Sequence, residues 1–103
     1  MTFVWLNGQI CNATEAHVSL ADRGLTLGAG LFETFRVKNG RDLHLDVHLE
    51  SLQNGGVVLG LLVPDLDYVA QAVHSLMDST GLKNRSARLT VTPGAAPRGM
   101  LHS

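Results

Sequence analysis

With a single cysteine, Cys11, in 103 residues, the chain cannot form an internal disulfide, and nothing ties it to an oxidising compartment. It also lacks any real excess of charge: eight Lys and Arg against nine Asp and Glu leave a formal net charge of −1. That balance argues against a nucleic-acid partner and against an anionic membrane surface. No apolar run approaches the ~20 residues a membrane-spanning helix needs. The opening Met1-Thr2-Phe3-Val4-Trp5 has neither the basic start nor the long apolar stretch of a secretory signal. These absences point to a cytoplasmic protein with no membrane partner. What remains is a chain that is 45% hydrophobic, enough for one domain with a modest core, spanning residues 1–103.

Turn signals organise the first half. Asn7-Gly8 separates Phe3–Leu6 from Gln9–Cys11, and Asn39-Gly40 separates Leu31–Lys38 from Arg41–Leu45. Asn-Gly between short apolar runs favours a two-residue hairpin, so two hairpins are expected. Residues 12–30 hold no steady period and read as loop, with one short strand near His17–Ser19. A first helix is expected after an Asp46 N-cap, with Leu45, Leu49, Leu52, Gly56 and Leu59 at helical spacing. Gly55 and Gly56 weaken it by roughly 1 kcal/mol each relative to alanine. A second helix follows Pro64, capped by Asp65, lined by Leu66, Val69, Val73, Leu76 and Met77, and stopped by Gly81. Ala87–Thr92 reads as a strand before the turn Pro93-Gly94-Ala95-Ala96-Pro97. Hairpins in an antiparallel sheet with two helices packed on one side make an α+β fold.

The densest local signal is Asp22-Arg23-Gly24-Leu25-Thr26-Leu27-Gly28-Ala29-Gly30-Leu31-Phe32-Glu33-Thr34. Three glycines in seven residues, entering a strand, allow backbone to pass close to a ligand or a neighbouring strand. Asp22 and Arg23 are an opposite-charge pair suited to fixing this loop. Read as wording, the segment resembles the D-R-G-L-T-x-G-x-G-x-F-E-T signature of the class IV pyridoxal-phosphate enzymes. That family includes branched-chain and D-amino-acid aminotransferases and aminodeoxychorismate lyase. Further matches run in order along the chain: Trp5-Leu6-Asn7-Gly8 for W-x-N-G, His48-Leu49-Glu50-Ser51-Leu52 for H-x-x-R-L, and Leu59-Gly60 then Pro64 after it. Arg88-Leu89-Thr90-Val91-Thr92-Pro93-Gly94 with Arg98-Gly99 resembles the strand R-x-x-V-T-R-G and its substrate loop.

The resemblance implies the N-terminal, smaller domain of a two-domain enzyme, with the C-terminal catalytic domain absent from this chain. Pyridoxal 5'-phosphate would lie between the two domains. The family's Schiff-base lysine belongs to the second domain, and the only lysines here, Lys38 and Lys83, match no catalytic position. The chain alone is therefore expected to be inactive and not to retain the cofactor. Ser51 stands where the family's phosphate-gripping arginine would be; a hydroxyl can give one hydrogen bond but no bidentate charged pair. Pro93 replaces a common arginine, and Ala29 a common aspartate.

For substrate, the resemblance implies Arg98 as a carboxylate ligand, with Phe32 and His48 bordering the pocket, although both also suit a place in the core beneath the sheet. Arg36, on the strand after the glycine loop, would face the same pocket or water. His44, Asp46 and His48 raise a metal question, but with one histidine ending a strand and the other inside a helix no metal site is expected. Three readings follow. The first is an aminodeoxychorismate lyase, releasing pyruvate to leave 4-aminobenzoate. The second is an amino-acid aminotransferase, either one a homodimer. The third is a truncated relative kept as a binding or dimerising module.

Overall fold

The computed structural model describes residues 2–23, 30–81 and 83–94. Its elements run β1 (Phe3–Leu6), β2 (Gln9–Asn12), a 3-10 turn (Ala13–Glu15), β3 (Leu31–Lys38), β4 (Arg41–Leu43), α1 (Leu45–Leu59), α2 (Leu66–Thr80) and β5 (Arg85–Val91). The expected α+β architecture is present, with its strands divided between a β1–β2 hairpin and a three-stranded antiparallel sheet in the order β4-β3-β5. Both hairpins turn on the Asn-Gly pairs. Asn7 and Gly8 have φ of 49° and 95°, and Asn39 and Gly40 have 53° and 74°. These left-handed values suit a two-residue turn whose twist matches the flanking strands.

β3 is the centre of the larger sheet. Its residues alternate along the strand, with Leu31, Glu33, Phe35 and Val37 withdrawn from solvent and Phe32, Thr34, Arg36 and Lys38 exposed. A strand's side chains point to opposite faces in turn, so the first set lies under the helices and the second faces away. The partners obey the same register: Ala87 opposes Phe35 and Leu89 opposes Glu33, and both pack against the core. The core consists of Phe35, Val37, Leu45, Leu49, Leu52, Val69 and Met77, drawn from β3, α1 and α2. The β1–β2 hairpin joins through α2, where the Trp5 and Tyr68 rings meet edge-on with centroids 5.9 Å apart.

Several sequence expectations need correction. No strand forms near His17–Ser19; the 3-10 turn precedes them and they are irregular. The N-cap of α1 is His44, in a left-handed conformation with no side-chain cap bond, and Asp46 sits inside the first turn. There it still favours the helix by placing negative charge near the positive end of the dipole. Leu59, expected on the buried face, is 57% exposed, because α1 outruns the sheet that covers it. Asp65 does cap α2, accepting a hydrogen bond from the Asp67 amide at 2.8 Å, and Gly81 ends it in a left-handed conformation.

The paired glycines of α1 are not equivalent. A Cβ on Gly56 would lie 2.6 Å from Val63 Cγ2 and 2.7 Å from the Leu61 carbonyl oxygen. The Gly56 carbonyl also accepts from the Leu61 amide at 2.8 Å, so the exit from the helix folds back onto this glycine. A Cβ on Gly55 meets only the tip of the Leu31 side chain, at 3.2 Å. Gly56→Ala should therefore destabilise the chain by about 1–3 kcal/mol through overpacking against backbone. Gly55→Ala should lie between neutral and about 1 kcal/mol more stable, through helix propensity. Urea unfolding of the two variants checks the contrast; equal effects would contradict it.

Candidate functional site

Register on β3 decides how the singled-out residues are shared between the two faces of the sheet. On the helix-covered face, Glu33 reaches α1. Its Oε1 lies 2.9 Å from His48 Nδ1, and its Oε2 accepts a long 3.4 Å hydrogen bond from Ser51 Oγ. His48 and Ser51 are three residues apart, one helical turn, which places both on the side of α1 that meets this strand. The Glu33 and His48 side chains keep 22% and 29% of their exposure, so the pair sits at the rim of the core. The His48 ring also lies 6.2 Å from that of Phe35. His48 thus does pack beneath the sheet, while Phe32 does not: it is 57% exposed on the opposite face.

That opposite face carries Phe32, Thr34, Arg36 and Lys38 from β3, Ser86, Arg88 and Thr90 from β5, and Arg41 and Leu43 from β4, as the pairing dictates. The Arg88 guanidinium carbon lies 4.2 Å from the centroid of the Phe32 ring, a cation–π contact. Four cations and no carboxylate from the three strands therefore share one surface. The fold puts Phe32 and Arg36 on one face of the sheet and brings His48 and Ser51 together at Glu33 on the other, so the two pairs are separated by the thickness of the sheet. Arg98 lies outside the described residues, as do the glycine-loop residues 24–29.

The start of that loop is held to the end of β5. Arg23 donates through Nη2 to the Pro93 carbonyl at 2.6 Å and through Nε to the Gly94 carbonyl at 3.2 Å. Its own amide also donates to the Gly94 carbonyl at 3.0 Å. Thr92 Oγ1 donates to Asp22 Oδ2 at 2.9 Å and accepts from the Gly94 amide at 3.1 Å. The Asp22-Arg23 pair thus fixes the loop entrance to the residues just after β5. Pro93, where the resemblance led to an arginine, contributes its carbonyl.

Sequence reading passed over Glu33, Arg88 and Thr92. The signal for Glu33 was available: a carboxylate at the same alternation as Leu31, Phe35 and Val37 must either be partnered or cost stability. The choice of partners was not visible, because His48 and Ser51 are 15 and 18 residues away. Among the described residues no group of three His, Cys, Asp or Glu side chains is placed to hold a metal ion. Two grooves of about 470 Å³ each run along the helices, one lined by Gln53, Gly56, Val57 and Gly60–Val63, the other by Asp42, Asp46, Asp67 and His74 with their apolar neighbours. Neither includes Phe32, Glu33, Arg36, His48 or Ser51.

Comparison with known proteins gives one consistent result. A family model described as amino-transferase class IV matches residues 30–103. A D-alanine aminotransferase from Staphylococcus epidermidis is 32% identical over 102 residues, covering 95% of this chain and 35% of that protein. A D-alanine aminotransferase from Bacillus licheniformis is 31% identical over 99 residues, covering 92% of this chain and 34% of that protein. Among solved structures, 4-amino-4-deoxychorismate lyase from Pseudomonas aeruginosa is 35% identical with a TM-score of 0.73, over 84% of this chain and 31% of the other. A branched-chain aminotransferase from Thermoproteus uzoniensis is 28% identical with a TM-score of 0.82, over 96% of this chain and 35% of the other. The chain spans about a third of the length of the curated relatives it matches.

Arg23 is the side chain on which the loop entrance depends. Arg23→Ala should cost about 1–3 kcal/mol, since it removes charged donors from two partly buried carbonyls. Arg23→Lys should recover at most part of that, because an ammonium lacks the planar fork. Denaturant midpoints of the two variants measure the difference, and wild-type stability in Arg23→Ala would contradict it.

Proposed function

The chain belongs to the class IV aminotransferases, and from that premise we propose that it forms one wall of the active cleft of a pyridoxal-phosphate enzyme. The remainder of the cleft comes from residues outside these 103. The observation that carries this reading is the open sheet face. Arg88 lies over Phe32 there, and Arg36, Lys38 and Arg41 follow further along the same face, on a chain whose net charge is −1. A surface of one sign beside an aromatic ring suits a small carboxylate-bearing substrate, such as an amino acid or aminodeoxychorismate. Arg36 and Phe32 are the proposed substrate contacts on this face, with Arg98 as a further carboxylate ligand.

The described residues by themselves do not fit the cofactor. Ser51 offers a hydroxyl already turned toward the Glu33 carboxylate, a poor neighbour for a phosphate. Lys38 is five residues along β3 from Glu33, about 17 Å at the rise of a strand. Lys83 lies beside the Asn39-Gly40 turn, its carbonyl accepting from the Gly40 amide at 3.0 Å. Neither lysine is near Glu33, His48 and Ser51. The proposal therefore places the covalent attachment, and the choice between lyase and aminotransferase chemistry, in the part of the enzyme beyond this domain.

Ser51 also favours a second reading, a non-catalytic relative that keeps the small domain as a binding or dimerising module. Either way, Val57, Val58, Leu59 and Leu62, exposed by 57–88% at the end of α1 and just after it, supply an apolar patch for self-association into a homodimer.

The 103-residue chain should lose pyridoxal phosphate on gel filtration, and stoichiometric retention would contradict the proposal. In a protein carrying the further domain, a visible absorbance band abolished by borohydride is expected; its absence would leave the non-catalytic reading. There, Ser51→Arg should tighten cofactor binding about ten- to a hundred-fold, the worth of one charged hydrogen-bond set. Equilibrium dialysis measures it, and unchanged affinity would show that residue 51 does not face the phosphate.

A further inference from the structure

We propose that Glu33 is a positioning residue that fixes His48 in a single tautomer and so decides which hydrogen-bonding role the ring offers a ligand. An ionised carboxylate can only accept, so the ring nitrogen facing it must carry the proton. Glu33 Oε1 lies 2.9 Å from His48 Nδ1. Neutral His48 is therefore the Nδ1–H form, the reverse of the Nε2–H form that a free imidazole side chain favours. Its Nε2 is left as a bare lone pair, and no described residue occupies it. Toward a ligand, neutral His48 accepts from an ammonium or hydroxyl group and cannot donate to an anion. This goes beyond the family assignment, and its functional meaning rests on the proposed cleft: His48 would read a donor group of the substrate, not the cofactor phosphate.

The molecule contains its own contrast. His74, on α2, meets Asp42 Oδ2 through Nε2 at 2.6 Å. By the same reasoning neutral His74 is the Nε2–H form. Two histidines held by carboxylates should thus show opposite tautomers in one spectrum, a difference that a general solvent effect would not produce. Ser51 touches only the second carboxylate oxygen, at 3.4 Å, and should not set the ring.

The test is a two-bond proton–nitrogen correlation spectrum of the 15N-labelled 103-residue chain near pH 8.5, about two units above the ordinary imidazole range. Signals are assigned with His48→Asn and His74→Asn. The expected result is Nδ1–H for His48 and Nε2–H for His74, with Glu33→Ala moving His48 to a majority of Nε2–H and Ser51→Ala leaving it unchanged. A wild-type His48 in the Nε2–H form overturns the proposal, and so does a Glu33→Ala spectrum identical to wild type. A reversal caused by Ser51→Ala would remove Glu33 from the role. If Glu33→Ala does not fold, the wild-type contrast between His48 and His74 decides alone. The spectrum involves no cofactor, so a wrong tautomer leaves the enzyme reading standing, and a failed cofactor test leaves the tautomer standing.

Discussion

The pleat of β3 is the constraint on which the rest of this structure depends. One eight-residue strand divides its side chains between a helix-covered face and an open one, and it pairs with both other strands of its sheet. Val37 and Phe35 anchor the covered face at 0% and 4% exposure, so the register cannot slip by one residue without turning both out to water. Burying each such side chain contributes about 1.5–3 kcal/mol, a large share of a small domain's stability. Through that register the core fixes everything of functional interest. Glu33 is carried inward to α1, while Phe32 and Arg36 are carried outward beside Arg88.

The family's motif residues are therefore not equivalent in physical role. In Phe32-Glu33-Thr34, the phenylalanine belongs to the open surface, where Arg88 lies over its ring. The glutamate belongs to the rim of the core and is satisfied by His48 and, more weakly, Ser51. With a hydroxyl at residue 51, His48 is the nearer of the two side chains that meet that carboxylate among the described residues. A part-exposed pair of this kind orients groups more than it stabilises the fold. That is why its significance lies in the tautomer it enforces.

The loop entrance shows a similar division of labour. Arg23 spans to the carbonyls of Pro93 and Gly94, so the segments on either side of the long central part of the chain are tied at one point. The close approach at Gly56 does the same for the helix exit, folding Leu61 and Val63 back onto α1. Both devices rely on backbone carbonyls. Side-chain identity at Pro93 or Leu61 is thus less informative than the geometry that delivers the carbonyl.

By itself the sequence determined the elements whose causes are local. The Asn-Gly turns, the Asp65 cap, the Gly81 stop, the apolar stripe of α2 and the alternation of β3 each arise from a few neighbouring residues, and all are present. The glycine-rich wording and the spaced H-x-x-x-L and R-x-x-V-T segments also sufficed to indicate the family. Only the tertiary structure decided which residues meet. His44 caps α1 in place of Asp46 because the chain must turn sharply out of β4, a requirement no local preference records. Phe32 and His48, alike as candidates, lie on opposite sides of the sheet, and Glu33 finds its partners on a helix 15 and 18 residues away. Such pairings depend on how strand and helix are stacked, and that is set by the burial of side chains distant in sequence.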